Sequence, residues 1–113
     1  MERVKFHNNI WCWGESWKVI LNEGVCVGDV SISKEHPEEC FISGVSTVPE
    51  ARRQGLASLF LQLANKIAKD HDCAYLALYV EKEQRENVAF YEKRGFTKFA
   101  NDGVWFEMRK EVE

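Results

Sequence analysis

The stretch Arg52-Arg53-Gln54-Gly55-Leu56-Ala57 holds residues whose types and spacing suit an anion-binding backbone. Gly55 and Ala57 keep side-chain bulk away from the main chain where a helix-spaced apolar run begins. The first turn of a helix carries N–H groups with no intrahelical partner, and its dipole favours negative charge. Such converging N–H groups suit a diphosphate, and Arg52 and Arg53 add mobile positive charge. The same residues also fit a tight strand-to-helix connection flanked by solvated arginines, and the local spacing leaves both readings open. Two other phosphate loops are excluded, because neither Gly-x-x-x-x-Gly-Lys-Ser/Thr nor Gly-x-Gly-x-x-Gly occurs. Cys12, Cys26, Cys40 and Cys73 are too widely spaced for a zinc knuckle or a Cys-x-x-Cys pair. No metal site is therefore expected, and the thiols read as reduced and mostly buried.

Positioning that backbone requires a strand before it and a helix after it. Val4 to Trp13 reads as extended, then Trp17–Leu21 and Val25–Ser33 as two strands joined by a turn at Asn22-Glu23-Gly24. Phe41–Val48 is a further strand ended by Pro49. Within it, Gly44 marks a bulge or makes room for a bulky neighbour such as Trp105. Leu56, Leu59, Phe60, Leu63, Ala64 and Ile67 recur at steps of three and four, giving a helix about four turns long. Ala74–Val80 is almost wholly apolar, as a strand covered on both faces would be. A shorter helix opens in Glu81–Glu86 and runs through Arg94 to Gly95. Gly95–Phe99 and Val104–Met108 form a closing hairpin around Asn101-Asp102-Gly103. The fold class expected is α+β: one domain over 1–113, with a mixed central sheet and one parallel crossover through the long helix.

The 113 residues allow one core, and 45% hydrophobic with 29% charged residues is the balance of a globular chain. No apolar run reaches the roughly 20 residues of a membrane helix, so no membrane partner is expected. The first residues lack the apolar centre of a secretory signal, and the expected location is cytoplasmic. A net charge of −3 argues against nucleic acid as a partner and leans towards a basic acceptor.

Two blocks carry a family resemblance. Val45-Ser46-Thr47-Val48-Pro49-Glu50-Ala51-Arg52-Arg53-Gln54-Gly55-Leu56-Ala57 resembles the acetyl-coenzyme A signature of the GNAT N-acetyltransferases, with Arg52, Gly55 and Ala57 filling its kernel. Asn87-Val88-Ala89-Phe90-Tyr91-Glu92-Lys93-Arg94-Gly95-Phe96 resembles the later Tyr-x-x-x-Gly-Phe element. The resemblance implies a GNAT-like fold with a strand-helix-strand coenzyme-binding core. It implies acetyl-coenzyme A as donor, its pantetheine arm lying along Val45, Ser46 and Thr47. Its diphosphate would sit on the main chain of Arg53, Gln54, Gly55, Leu56, Ala57 and Ser58, with Arg52 alongside. Tyr91 would be the catalytic acid that serves the leaving thiolate, and an amine would be the acceptor. Alternatives are a coenzyme A-binding module without catalysis and an interaction domain that reuses the fold.

Three departures from the family stand out. The asparagine that many members place seven residues before the tyrosine is Gln84 here, with Asn87 four residues before it, so either amide is a candidate for the coenzyme. The acidic base that some members carry near the end of the central strand is replaced by residues including Tyr79, leaving His36, Glu38 and Glu39 as candidates if they face the cleft. Finally, 16 residues before Trp17 are too few for the usual strand and two helices. The acceptor side is then open, or is completed by a second subunit in a homodimer. Trp11, Trp13 and Trp17 would supply an apolar partner surface, or would pack within a shortened core.

Overall fold

The computed structural model describes residues 3–47 and 55–113. Among these, β1 (Val4–Ile10), β2 (Gly14–Leu21), β3 (Cys26–Ser33) and β4 (Glu39–Thr47) are followed by α1 (Leu56–Asp70) and β5 (Tyr75–Glu81). Then come α2 (Arg85–Lys93), β6 (Thr97–Asp102) and β7 (Trp105–Glu111). The strands form one seven-stranded sheet in the order β1-β2-β3-β4-β5-β7-β6. Only β4 and β5 run parallel, joined through α1; the other neighbours are antiparallel. This is the expected α+β architecture.

Strand alternation sorts the residues between two faces. Trp17, Val19, Leu21, Cys26, Val30, Cys40, Ile42, Leu76, Leu78, Val80 and Met108 are buried in one core. Against them α1 buries Leu56, Phe60, Leu61, Ala64, Ile67 and Ala68, while α2 contributes Val88. Phe60 is fully buried because β3 has a glycine beneath it: a Cβ on Gly28 would come within 2.4 Å of the Phe60 ring. Burial of such a ring stabilises the fold by about 1.5–3 kcal/mol. The close contact also fixes the height of α1 above the sheet.

The opposite face carries Lys18, Ile20, Asp29, Phe41, Tyr75, Tyr79, Glu107 and Arg109, and among the described residues no helix packs on it. The Val4–Trp13 segment expected to be extended forms β1, which pairs with β2 over its whole length. What is missing is the pair of helices, since only Trp11, Cys12 and Trp13 link the two strands. Trp17 belongs to the core, whereas Trp11 and Trp13 stack with ring centroids 6.2 Å apart and stay half exposed.

Candidate active site

The parallel ladder between β4 and β5 pairs Glu39 with Tyr75, Cys40 with Leu76 and Phe41 with Ala77, and then stops. Beyond it both strands continue without pairing to each other among the described residues, so they splay. The cause lies on the other side of β4. The register with β3 shifts between Val27 and Asp29, where Gly44 adopts φ +62°. That is a bulge, and only glycine enters this left-handed region without strain. The bulge bends the end of β4 away from β5 and frees main-chain groups from Ile42 onward. Between the open alternatives for Gly44, the bulge is therefore the outcome; Trp105 sits across β5 beside Glu81.

A cleft of about 180 Å³ fills the splay, lined by Ser43, Gly44, Val45, Tyr79, Gln84, Asn87 and Tyr91 among others. Its lining comes from both faces of the sheet: Leu78, Val80 and Tyr91 from the helix side, Ser43 and Tyr79 from the helix-free side. It therefore lies between the two strands, bordered by residues of both faces. Of the pantetheine candidates, Val45 lines it; Ser46 and Thr47 continue β4, their register partners Val27 and Cys26 lying on β3. Gln84 and Asn87 both line it too, and Asn87 Nδ2 donates to Gln84 Oε1 at 3.0 Å. The two amides thus act as a pair.

The Tyr-x-x-x-Gly-Phe spacing has a local structural cause. At the end of α2, Gly95 N–H donates to Glu92 O at 3.1 Å and Phe96 N–H to Tyr91 O at 3.1 Å. These are the two bonds of a Schellman ending, and the side chains that should meet in that motif are Tyr91 and Phe96. They do, edge to face with centroids 5.6 Å apart. Tyr91 is thereby locked with its ring against the core and along the cleft. Burial pushes its pKa above the ordinary phenol value, and the Cys26 thiol below adds to the shift.

The helix start is partly described. Arg52, Arg53 and Gln54 lie outside the described residues. Gly55 is the N-cap of α1 with φ +76°, a left-handed conformation suited to glycine. Among the described residues, a Cβ placed there would meet nothing within 4 Å. Leu59 N–H donates to Gly55 O at 3.0 Å, the first helical bond among the described residues. The amides of Leu56, Ala57 and Ser58 therefore belong to the first turn, where helix geometry offers no intrahelical acceptor. Among the described residues no side chain caps them, and no acidic residue stands in that turn. An anion is the natural complement.

The Ser58 side chain has a separate tie: its Oγ accepts from Arg94 Nε at 2.7 Å. Arg94 also donates from Nη1 to Phe90 O at 3.1 Å and lies over the Phe90 ring, 3.6 Å from its centroid. It thus ties the end of α2 to the first turn of α1 and brings a fixed cation to that helix start. Sequence reasoning did not assign it. Its place between Tyr91 and Gly95 in the second block was the available signal.

The three base candidates do not reach the cleft. Glu39 pairs with Tyr75 at the closed end of the ladder, and His36 Nδ1 lies 3.6 Å from Glu38 Oε1 in the turn before β4. The condition that they face the cleft is not met, because β4 parts from β5 at its other end.

Residues 2–96 match the family model described as "Acetyltransferase (GNAT) family". No curated protein sequence matches the chain. Among solved structures, a GNAT-family protein from Desulfovibrio desulfuricans superposes with TM-score 0.79 at 13% identity, covering 98% of this chain and 100% of that one. The PaiA N-acetyltransferase of Thermoplasma acidophilum, in complex with coenzyme A, gives 0.74 at 22% identity, covering 85% and 59%. The ribosomal-protein-S18-alanine N-acetyltransferase of Escherichia coli gives 0.73 at 13% identity, covering 100% and 95%. These likenesses establish a shared fold.

Proposed function

The chain belongs to the acetyltransferase (GNAT) family, and on that premise we propose that it moves an acetyl group from acetyl-coenzyme A to a primary amine by direct attack on the thioester. The observation that carries this reading is the cleft where β4 and β5 part, bordered by Tyr91 from the helix side and Tyr79 from the helix-free side; donor and acceptor would approach it from opposite faces. Acetyl-coenzyme A would enter on the helix side. The main chain of Val45, Ser46 and Thr47 would hold its pantetheine arm, with the Gln84–Asn87 amide pair beside it. The amides of Gly55, Leu56, Ala57 and Ser58 suit its diphosphate, together with Arg52, Arg53 and Gln54. Among the described residues, the fit is supported by the uncapped helix start, the room beside Gly55 and the fixed Arg94 cation.

The chemistry then needs three services. A neutral amine nitrogen attacks the carbonyl carbon; the C–N bond forms, the C–S bond breaks with its electron pair going to sulfur, and the proton lost from nitrogen passes through water to the thiolate. Main-chain N–H groups of splayed β4 suit the developing oxyanion. Tyr91 serves the departing sulfur. With a raised pKa it is a weak acid towards a thiolate whose conjugate acid titrates near ~8.5. Its main contribution is a hydrogen bond that strengthens as charge builds on sulfur. The same shift keeps the phenol protonated, and therefore competent, throughout neutral and mildly alkaline pH.

The test is thiol release from acetyl-coenzyme A against a panel of primary amines, with Tyr91→Phe alongside. Wild type should release thiol in an amine-dependent way, and kcat for Tyr91→Phe should fall about 100-fold at unchanged melting temperature. Wild-type kcat should not fall through Tyr91 titration until the pH passes about 10. No amine-dependent release, or a fully active Tyr91→Phe, refutes the reading.

A further inference from the structure

The end of β5 carries Tyr79 where some family members carry an acid, and the sheet supplies a carboxylate from the neighbouring strand instead. Tyr79 is the register partner of Glu107 on β7, so both side chains rise from the helix-free face side by side. Their side chains are thus cross-strand neighbours on one face, and desolvation, helped by the carboxylate, pushes the phenol pKa up. Tyr79 also lines the cleft. Around them is an aromatic wall: Phe41 from β4 lies 5.8 Å from the Tyr79 ring, and Trp105 stands two residues from Glu107 and remains 40% exposed.

We propose that Glu107 and Tyr79 together form the subsite that holds the accepting amine at the helix-free mouth of the cleft, and that the acceptor is a primary ammonium on an apolar or aromatic stem. This rests on the acetyl-transfer reading above and names its substrate class. Each element of the site has a separate physical task. The aromatic wall covers the stem. Glu107, with side-chain exposure of 15%, is desolvated enough for its charge to count. Arg109 Nε occupies one of its oxygens, Oε2, at 2.6 Å, while its guanidinium lies over the Phe99 and Tyr75 rings at 3.5 and 4.3 Å. A carboxylate accepts several hydrogen bonds, so the Arg109 contact does not saturate it. Asp102 of β6 and Glu39 of β4 add negative charge around Tyr79 to that of Glu107, which suits a cation. The Tyr79 hydroxyl oxygen carries lone pairs that can accept from an ammonium N–H. Once the ammonium gives its proton to water, the same contacts hold the nitrogen beside the splay where the thioester would lie.

Phenethylamine and its neutral counterpart 2-phenylethanol separate the cation contact from the aromatic one. Binding of each is measured by calorimetry at pH 7, with and without coenzyme A, for wild type, Glu107→Gln and Tyr79→Phe. Wild type should prefer the ammonium about tenfold, the size of one charge-assisted hydrogen bond. Glu107→Gln should abolish that preference, leaving the alcohol and coenzyme A affinities unchanged. Tyr79→Phe should weaken only the ammonium, by a smaller factor, and the double variant should lose less than the two single losses combined. Melting temperatures accompany each variant. If Arg109, left without its partner, unfolds Glu107→Gln, the Tyr79→Phe comparison decides the matter. Equal affinity of wild type for amine and alcohol, or equal loss of both in the variants, overturns the proposal. Failure of coenzyme A to bind would instead overturn the acetyl-transfer reading while leaving the amine measurement intact.

Discussion

The two faces of the sheet are made by the same strands, often by adjacent residues, yet they obey different rules. On the helix side Leu76, Leu78 and Val80 of β5 are buried under α1 and α2, together with Met108, the register partner of Leu78 on β7. One residue along, Ala77 and Tyr79 point the other way, towards Phe41, Glu107 and Arg109. The covered face is apolar and close-packed, so its residues matter through volume. The bare face mixes aromatic rings with charge and tolerates change, except where it meets the cleft. The comparison teaches that the absent pair of helices did not cost the fold its core. It exposed a surface that lies beside the proposed site of chemistry.

Three substitutions would break or sharpen that contrast. The largest effect is expected from Phe60→Ala, which removes a fully buried ring and should cost about 3–5 kcal/mol in denaturant unfolding. Next comes Gly28→Ala on the same face, where the new methyl meets the Phe60 ring; overpacking should cost about 1–3 kcal/mol. A neutral Gly28→Ala would mean that α1 rides loosely over the sheet. The smallest effect belongs to the bare face. Lys18→Met removes the Lys18–Asp29 pair, 3.3 Å apart with side chains 54% and 41% exposed. Its cost should be under about 1 kcal/mol and should shrink further in high salt. A loss comparable with that of Phe60→Ala would erase the distinction between the faces.

Much of the covered face was legible beforehand because its signals are local. The three-four spacing of Leu56, Leu59, Phe60, Leu63, Ala64 and Ile67 marked α1, which extends to Asp70. The continuous apolar run marked β5. The second helix starts at Arg85, later than the charged stretch suggested, because Glu81 still pairs with Trp105 as the end of β5. Likewise β2 begins at Gly14, before Trp17, since β1 holds its polar residues in a ladder that periodicity does not reveal. At the candidate site, Tyr91, Gly95 and Phe96 were readable as a unit because a Schellman ending is made within six residues. Arg94 was not, since its partner Ser58 lies 36 positions away.

By itself the sequence determined the order of elements, the glycine that opens α1 and the block that fixes Tyr91, because these depend on dihedral preferences and hydrogen bonds between near neighbours. Only the tertiary structure decided that β4 and β5 part after Phe41 and Ala77, that Tyr79, Gln84, Asn87 and Tyr91 border one cleft between them, and that Glu107 stands beside Tyr79. Those facts come from strand register and a bulge, which are set by how distant segments share one core.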